Sequence, residues 1–70
     1  MPAMVEITLN GEPRTITPGQ TMSALLNALG LDPRKVAVER NESIVARSLY
    51  DATLLDAGDQ IEIVHFIGGG

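Results

Sequence analysis

Cysteine and tryptophan are both absent from this chain of 70 residues, and phenylalanine and tyrosine occur once each. Without cysteine there is no disulfide to brace a small fold and no thiolate to hold a metal, a usage that fits a reducing, cytoplasmic compartment. The scarcity of aromatics leads one to expect an aliphatic core. Basic residues are also few: Arg14, Arg34, Lys35, Arg40 and Arg47 stand against nine acidic residues, for a formal charge of -4. Only Arg34 and Lys35 are adjacent, so the concentrated basic stripe that a phosphate backbone requires is missing, and nucleic acid is not an expected partner. An acidic surface suits solubility or docking to a positively charged protein. No apolar run approaches the roughly 20 residues of a membrane helix, and Met1-Pro2-Ala3-Met4 lacks the basic-then-apolar order of a signal peptide, so a membrane is not an expected partner either. What is present, 44% hydrophobic and 20% charged residues, is the composition of one folded domain over residues 1–70. A chain this short buries only roughly 60% of its unfolded surface and has no room for a second core.

Val5, Ile7 and Leu9 alternate with Glu6, Thr8 and Asn10, the period of a strand with one buried face. Asn10-Gly11 tolerates the positive φ of a tight hairpin turn, and Glu12 to Thr17 can return as a second strand with Ile16 inward. Pro18-Gly19 breaks the pattern. Thr21 is placed to cap a helix in which Met22, Leu25, Leu26 and Leu29 recur at helical spacing, with Gly30 at its C-terminal end. So short a helix has to lie on a sheet to persist. Val36 and Val38 mark a third strand, Asn41-Glu42 a turn, and Ile44 and Val45 a short fourth segment. From Arg47 to Leu55 no period is clean; a helical turn near Ser48-Leu49-Tyr50 and then a loop are expected. Asp56-Ala57-Gly58-Asp59 is a dense turn signal before a last strand, Gln60 to Phe66. The whole reads as an α+β domain in which a mixed sheet holds one main helix.

Little in this inventory can do chemistry. There is one histidine, and no serine stands in a nucleophile-elbow pattern, so a triad or a two-ligand metal site has nothing to be built from. Asp56 and Asp59 are expected to stabilise the turn around Gly58 rather than bind a metal. The unusual feature is the run Gly68, Gly69 and Gly70 directly behind the last strand. Glycine weakens a strand, and one reading is simply a disordered end. The other is functional: three extended residues put a terminal carboxylate about 10 Å beyond the strand, free of side chains that would jam a narrow channel. The reactive group would then be the α-carboxylate of Gly70, activated as an acyl-adenylate by a separate ATP-using enzyme.

The parity of the last strand adds a second expectation. If Ile61 and Ile63 face the helix, Glu62, Val64 and Phe66 face the other side, and one helix can cover one face only. Val64 and Phe66 would then form an exposed apolar docking patch beside the glycines, unless the loop carrying Leu49 and Tyr50 folds over them. His65 shares parity with the core residues and is read as a structural or rim residue rather than a general base.

The "NGEP" hairpin, the "TMSALLNALGL" helix, "VAVERN", the "DAGDQIEIVHF" strand and the glycine terminus together resemble the ThiS family, the sulfur carrier proteins of thiamine biosynthesis, from Met4 to Gly70. The resemblance implies a ubiquitin-like β-grasp fold. It also implies a carrier that is no enzyme itself. An E1-like adenylyltransferase of the ThiF type would use ATP to adenylate the terminal glycine. Sulfur from a cysteine-desulfurase-derived persulfide would make the thiocarboxylate, and thiazole synthase of the ThiG type would consume it. On this chain the Gly-Gly terminus falls on Gly69 and Gly70, with Gly70 the attachment point; Gly68 is an extra glycine that lengthens the flexible arm. Val64 and Phe66 match apolar positions expected to meet partners. No bound cofactor and no metal are implied. Two alternatives share these features: the small subunit of molybdopterin synthase, and a ubiquitin-like interaction or modifier domain.

Overall fold

The computed structural model describes residues 3–66. The hairpin forms first in chain order: strand β1 (Val5–Leu9) returns as β2 (Glu12–Ile16) in antiparallel register, with Val5 opposite Ile16 and Leu9 opposite Glu12. Its two-residue turn is Asn10-Gly11, with φ of 50° and 83°, the left-handed pair that matches the twist of a two-residue hairpin. A single helix follows, α1 (Met22–Ala28). Strands β3 (Val36–Arg40) and β4 (Ser43–Val45) form a second antiparallel pair, and β5 (Gln60–His65) comes last. Single turns of 3-10 helix occupy Pro33–Lys35 and Arg47–Leu49, the second where the sequence predicts a helical turn.

The five strands lie in the order β2-β1-β5-β3-β4. The last strand is therefore the central one. It pairs parallel with β1 over Thr8↔Gln60 and Leu9↔Ile61 and antiparallel with β3 from Arg40↔Ile61 to Val36↔His65. One mixed sheet and one main helix make the expected α+β architecture, and it is the ubiquitin-like β-grasp fold.

Both ends of α1 are closed by local hydrogen bonds. The Thr21 hydroxyl accepts from the Ala24 amide at 3.1 Å, and the amides of Met22 and Ser23 donate to the carbonyls of Thr53 and Tyr50. Four amides at a helix start lack intrahelical partners, so the segment leading to Leu54 caps this helix together with Thr21. At the other end the Leu31 amide reaches the Leu26 carbonyl and the Gly30 amide reaches that of Asn27, the paired pattern that needs a left-handed residue; Gly30, φ +72°, supplies it one position beyond the cap residue Leu29.

Between helix and sheet lie Ile7, Ile16, Met22, Leu25, Leu26, Val36, Val38, Leu55 and Ile61, all buried. Tyr50 joins them at 3% exposure, which corrects the expectation of a wholly aliphatic core. The aperiodic stretch around it packs beside the start of α1 through the Ser23 and Met22 bonds and a bridge between Thr21 and Leu54, so its single aromatic ring closes that end of the core.

Candidate functional site

β5 carries the chain from the centre of the sheet toward the glycines, and its register fixes which way each side chain faces. Ile61 is fully buried beneath the helix and Ile63 half-buried, whereas Val64 and Phe66, of opposite parity, are 62% and 61% exposed. Ladder pairing continues to the last described residue, since the Phe66 amide donates to the Lys35 carbonyl at 3.0 Å. The two residues expected to dock partners therefore stand uncovered on the face away from the helix, with Ala37 directly across from Val64. The alternative, in which the loop of Leu49 and Tyr50 folds over them, does not occur: Tyr50 turns into the core and Leu49 is itself exposed. Gly68, Gly69 and Gly70 lie outside the described residues.

Farther along the same face the character changes. Glu39 on β3 stands directly opposite Glu62 on β5, and with Glu42, Thr8 and Gln60 they line a shallow groove of about 270 Å3. Like charges opposite one another on a sheet cost stability, so this pair weakens the sheet locally. The face is apolar at the root of the glycine run and acidic behind it.

His65 lies at the rim on the helix side, as its parity requires. There it lines a recess of about 230 Å3 with Leu9, Asn10, Leu29, Leu31 and Ile63. No cluster of three or more metal-ligating side chains forms among the described residues.

Two side-chain clamps that sequence reasoning missed hold β5 at its ends. At the start, Asp59 is 5% exposed and accepts hydrogen bonds from Arg40 Nε at 2.8 Å, from the Asp56 amide at 2.8 Å and from Asn41 Nδ2 at 3.0 Å. Burial pushes its carboxyl up, but the bonds from Asp56, Asn41 and Arg40 together outweigh that and hold the pKa below the ordinary carboxylate value. Asn41 Oδ1 also accepts from the Gln60 amide, and Arg40 reaches Asp56 at 3.2 Å. The turn role expected of these two aspartates is observed for Asp59, which takes the Asp56 amide, whereas the exposed Asp56 carboxylate meets Arg40; both are thereby tied to the β3–β4 hairpin. Near the other end, Asn10 Oδ1 accepts from the Ile63 amide at 2.8 Å, and its Nδ2 donates to the Ile63 carbonyl over a longer 3.4 Å. Asn10 and Asn41 read in sequence as turn formers only; the available signal was that each sits in a turn beside the end of a strand and carries a side chain able to both donate and accept.

The central strand thus alternates buried and exposed positions and ends in two exposed apolar side chains shortly before the glycine run of the sequence. The family model described as "ThiS family" matches residues 7–70. The chain belongs to the ThiS family. Among solved structures, the crystal structure of the thiamine biosynthesis protein ThiS from Geobacter metallireducens is similar at 35% identity and a TM-score of 0.82, covering 94% of this chain and all of that one. The sulfur carrier protein ThiS of Bacillus subtilis is 44% identical over 50 residues, 71% of this chain and 76% of its own length. A protein named thiazole synthase from Magnetococcus marinus is 54% identical over 66 residues, which is 94% of this chain but only 20% of that protein, so the chain spans about a fifth of its length. A stretch resembling a ThiS-family domain is therefore part of a longer polypeptide there.

Proposed function

We propose that this chain is the sulfur carrier of thiazole formation in thiamine biosynthesis, acting as a co-substrate and not as a catalyst. The observation that carries the reading is the geometry of β5: a central, doubly clamped strand that brings exposed Val64 and Phe66 up to a glycine run lying within the family match. The fold contributes presentation, and the chemistry belongs to the α-carboxylate of Gly70. A carboxylate is a poor electrophile. An E1-like adenylyltransferase of the ThiF type would join it to the α-phosphorus of ATP with loss of pyrophosphate, creating a leaving group. The outer sulfur of a persulfide, supplied through a cysteine desulfurase, would attack the acyl carbon and expel AMP. Cleavage of the remaining S–S bond by a second thiol leaves the thiocarboxylate, which thiazole synthase of the ThiG type consumes. ATP is bound by the activating enzyme, and no cofactor is assigned to the carrier. Gly68 and Gly69 would lie in the partner's channel, where a backbone without side chains passes most closely.

The partner assignment is supported by the Magnetococcus protein, in which a matching domain and the name thiazole synthase occur on one chain. That pairing favours thiamine over molybdopterin chemistry. The test is the intact mass after incubation with the activating enzyme, ATP and a sulfur donor. Exchange of one oxygen for sulfur at the terminus is expected, and none in a chain lacking Gly70; lysine adducts in place of the thiocarboxylate would overturn the reading in favour of a protein modifier.

A further inference from the structure

Along β5 the backbone groups alternate between its two neighbours. The even positions serve β3, as Asn41 N–H to Gln60 C=O at 2.8 Å and Phe66 N–H to Lys35 C=O at 3.0 Å show. The odd positions face β1: the Asn10 amide donates to the Ile61 carbonyl, and the Asn10 side chain then takes both backbone groups of Ile63. The next odd residue is His65. By then the chain has turned away through Gly11 into β2, and among the described residues no partner meets the His65 amide and carbonyl on that side. Asn10 thus imitates one residue of a strand and leaves the following position open. Beside this open edge, on the helix face, sits the recess lined by Leu9, Leu29, Leu31 and Ile63.

The geometry points to a strand-addition site: an extended segment of thiazole synthase continues the line of β1, pairing with the backbone of His65 and lowering one apolar side chain into the recess. An extended backbone is the occupant that matches a spaced donor and acceptor at a sheet edge, and alternate residues of such a segment would point over Leu29 and Leu31. Among the enzymes that handle the terminus, the synthase is chosen because a relative joins it to a similar domain in one polypeptide. The inference rests on the carrier reading above and adds to the Val64 and Phe66 patch a second contact on the opposite face of the same strand.

The experiment is amide hydrogen exchange of the full chain, free and with the thiazole synthase of the same organism. Binding is expected to slow exchange at His65 by about tenfold or more; unchanged exchange at His65 in a demonstrably bound complex overturns the site. His65→Pro removes the open N–H together with the imidazole and fixes φ, but it takes no hydrogen bond from the ladder with β3, which uses the even positions. Its Kd for the synthase is expected to rise about tenfold, the worth of one hydrogen bond, relative to His65→Ala, which keeps the amide. Equal affinity of the two variants overturns the site, and so does protection by the activating enzyme alone. Thiocarboxylate formation, read by mass in the same variants, separates a failure here from a failure of the carrier reading.

Discussion

Asp59 meets two opposing demands: it is almost fully buried, yet three donors hold it ionised. Because its folded pKa lies below the ordinary value of 3.8, the stabilisation is present above that value and is lost as pH falls through the folded pKa. Replacing it by Asn sets an amide N–H against existing donors and should cost about 1–3 kcal/mol at neutral pH. The variant should also lose less stability than the native chain between about pH 5 and about pH 2, as read from urea midpoints across that range. Asp32 titrates in the same window, its pKa held at about 2 chiefly by the side-chain hydrogen bond from Arg34, but it is unchanged in the variant, so the difference isolates Asp59. Glu42 poses another local conflict. It sits at φ 70°, behind Asn41 at φ 52°, in a turn that asks for two left-handed residues. Glycine adopts that conformation without steric cost, so Glu42→Gly should stabilise the domain by roughly 0.5–1 kcal/mol after its larger unfolded-state entropy is deducted, seen as a higher urea midpoint at unchanged slope.

At the level of elements, the strand that matters most was legible in its faces and illegible in its neighbours. Alternation from Ile61 to Phe66 identified the buried and exposed sides because a one-residue shift would have exchanged them. Thr21, the spacing of Met22, Leu25 and Leu26, and Gly30 marked the helix because caps and periodicity are local properties. The position of β5 between β1 and β3 could not be read, since strand order follows from contacts between residues far apart in the chain. Tyr50 escaped for the same reason: its burial depends on the start of α1, nearly thirty residues earlier, and nothing beside it repeats. The roles of Asn10 and Asn41 were hidden because a turn residue shows its backbone preference in sequence and its side-chain partner only in space. One prediction belongs to this scale. Val64→Asp and Phe66→Asp alter side chains that are more than half exposed, so stability should change by no more than about 0.5 kcal/mol. Yield of thiocarboxylate at limiting activating enzyme should nevertheless fall at least about tenfold, because a carboxylate would be desolvated in an apolar contact. Unfolding of either variant would contradict the first half, and undiminished yield the second.

Over the whole molecule the two faces of the sheet have divided labour. The helix face holds the core, and the open face carries the apolar patch and, behind it, Glu39 against Glu62 in a chain whose formal charge is -4. A pair of like charges in direct cross-strand register weakens the sheet by about 0.2–1 kcal/mol, and glutamine at both positions should return that amount to the fold. The same change should harm docking if the acidic stretch steers the carrier toward a basic surface, since long-range attraction raises the rate of encounter more than it strengthens the final complex. The two effects have opposite signs, which makes the double variant Glu39→Gln, Glu62→Gln informative. Its urea midpoint should rise, while its association rate with the activating enzyme at low salt, followed by stopped flow, should fall several-fold. The native rate should decline with ionic strength as charges farther apart than the screening length of about 10 Å at 0.1 M salt lose sight of one another, and the variant's rate should decline less. A variant that is more stable and associates equally fast at every salt concentration would mean that the repulsion serves no partner.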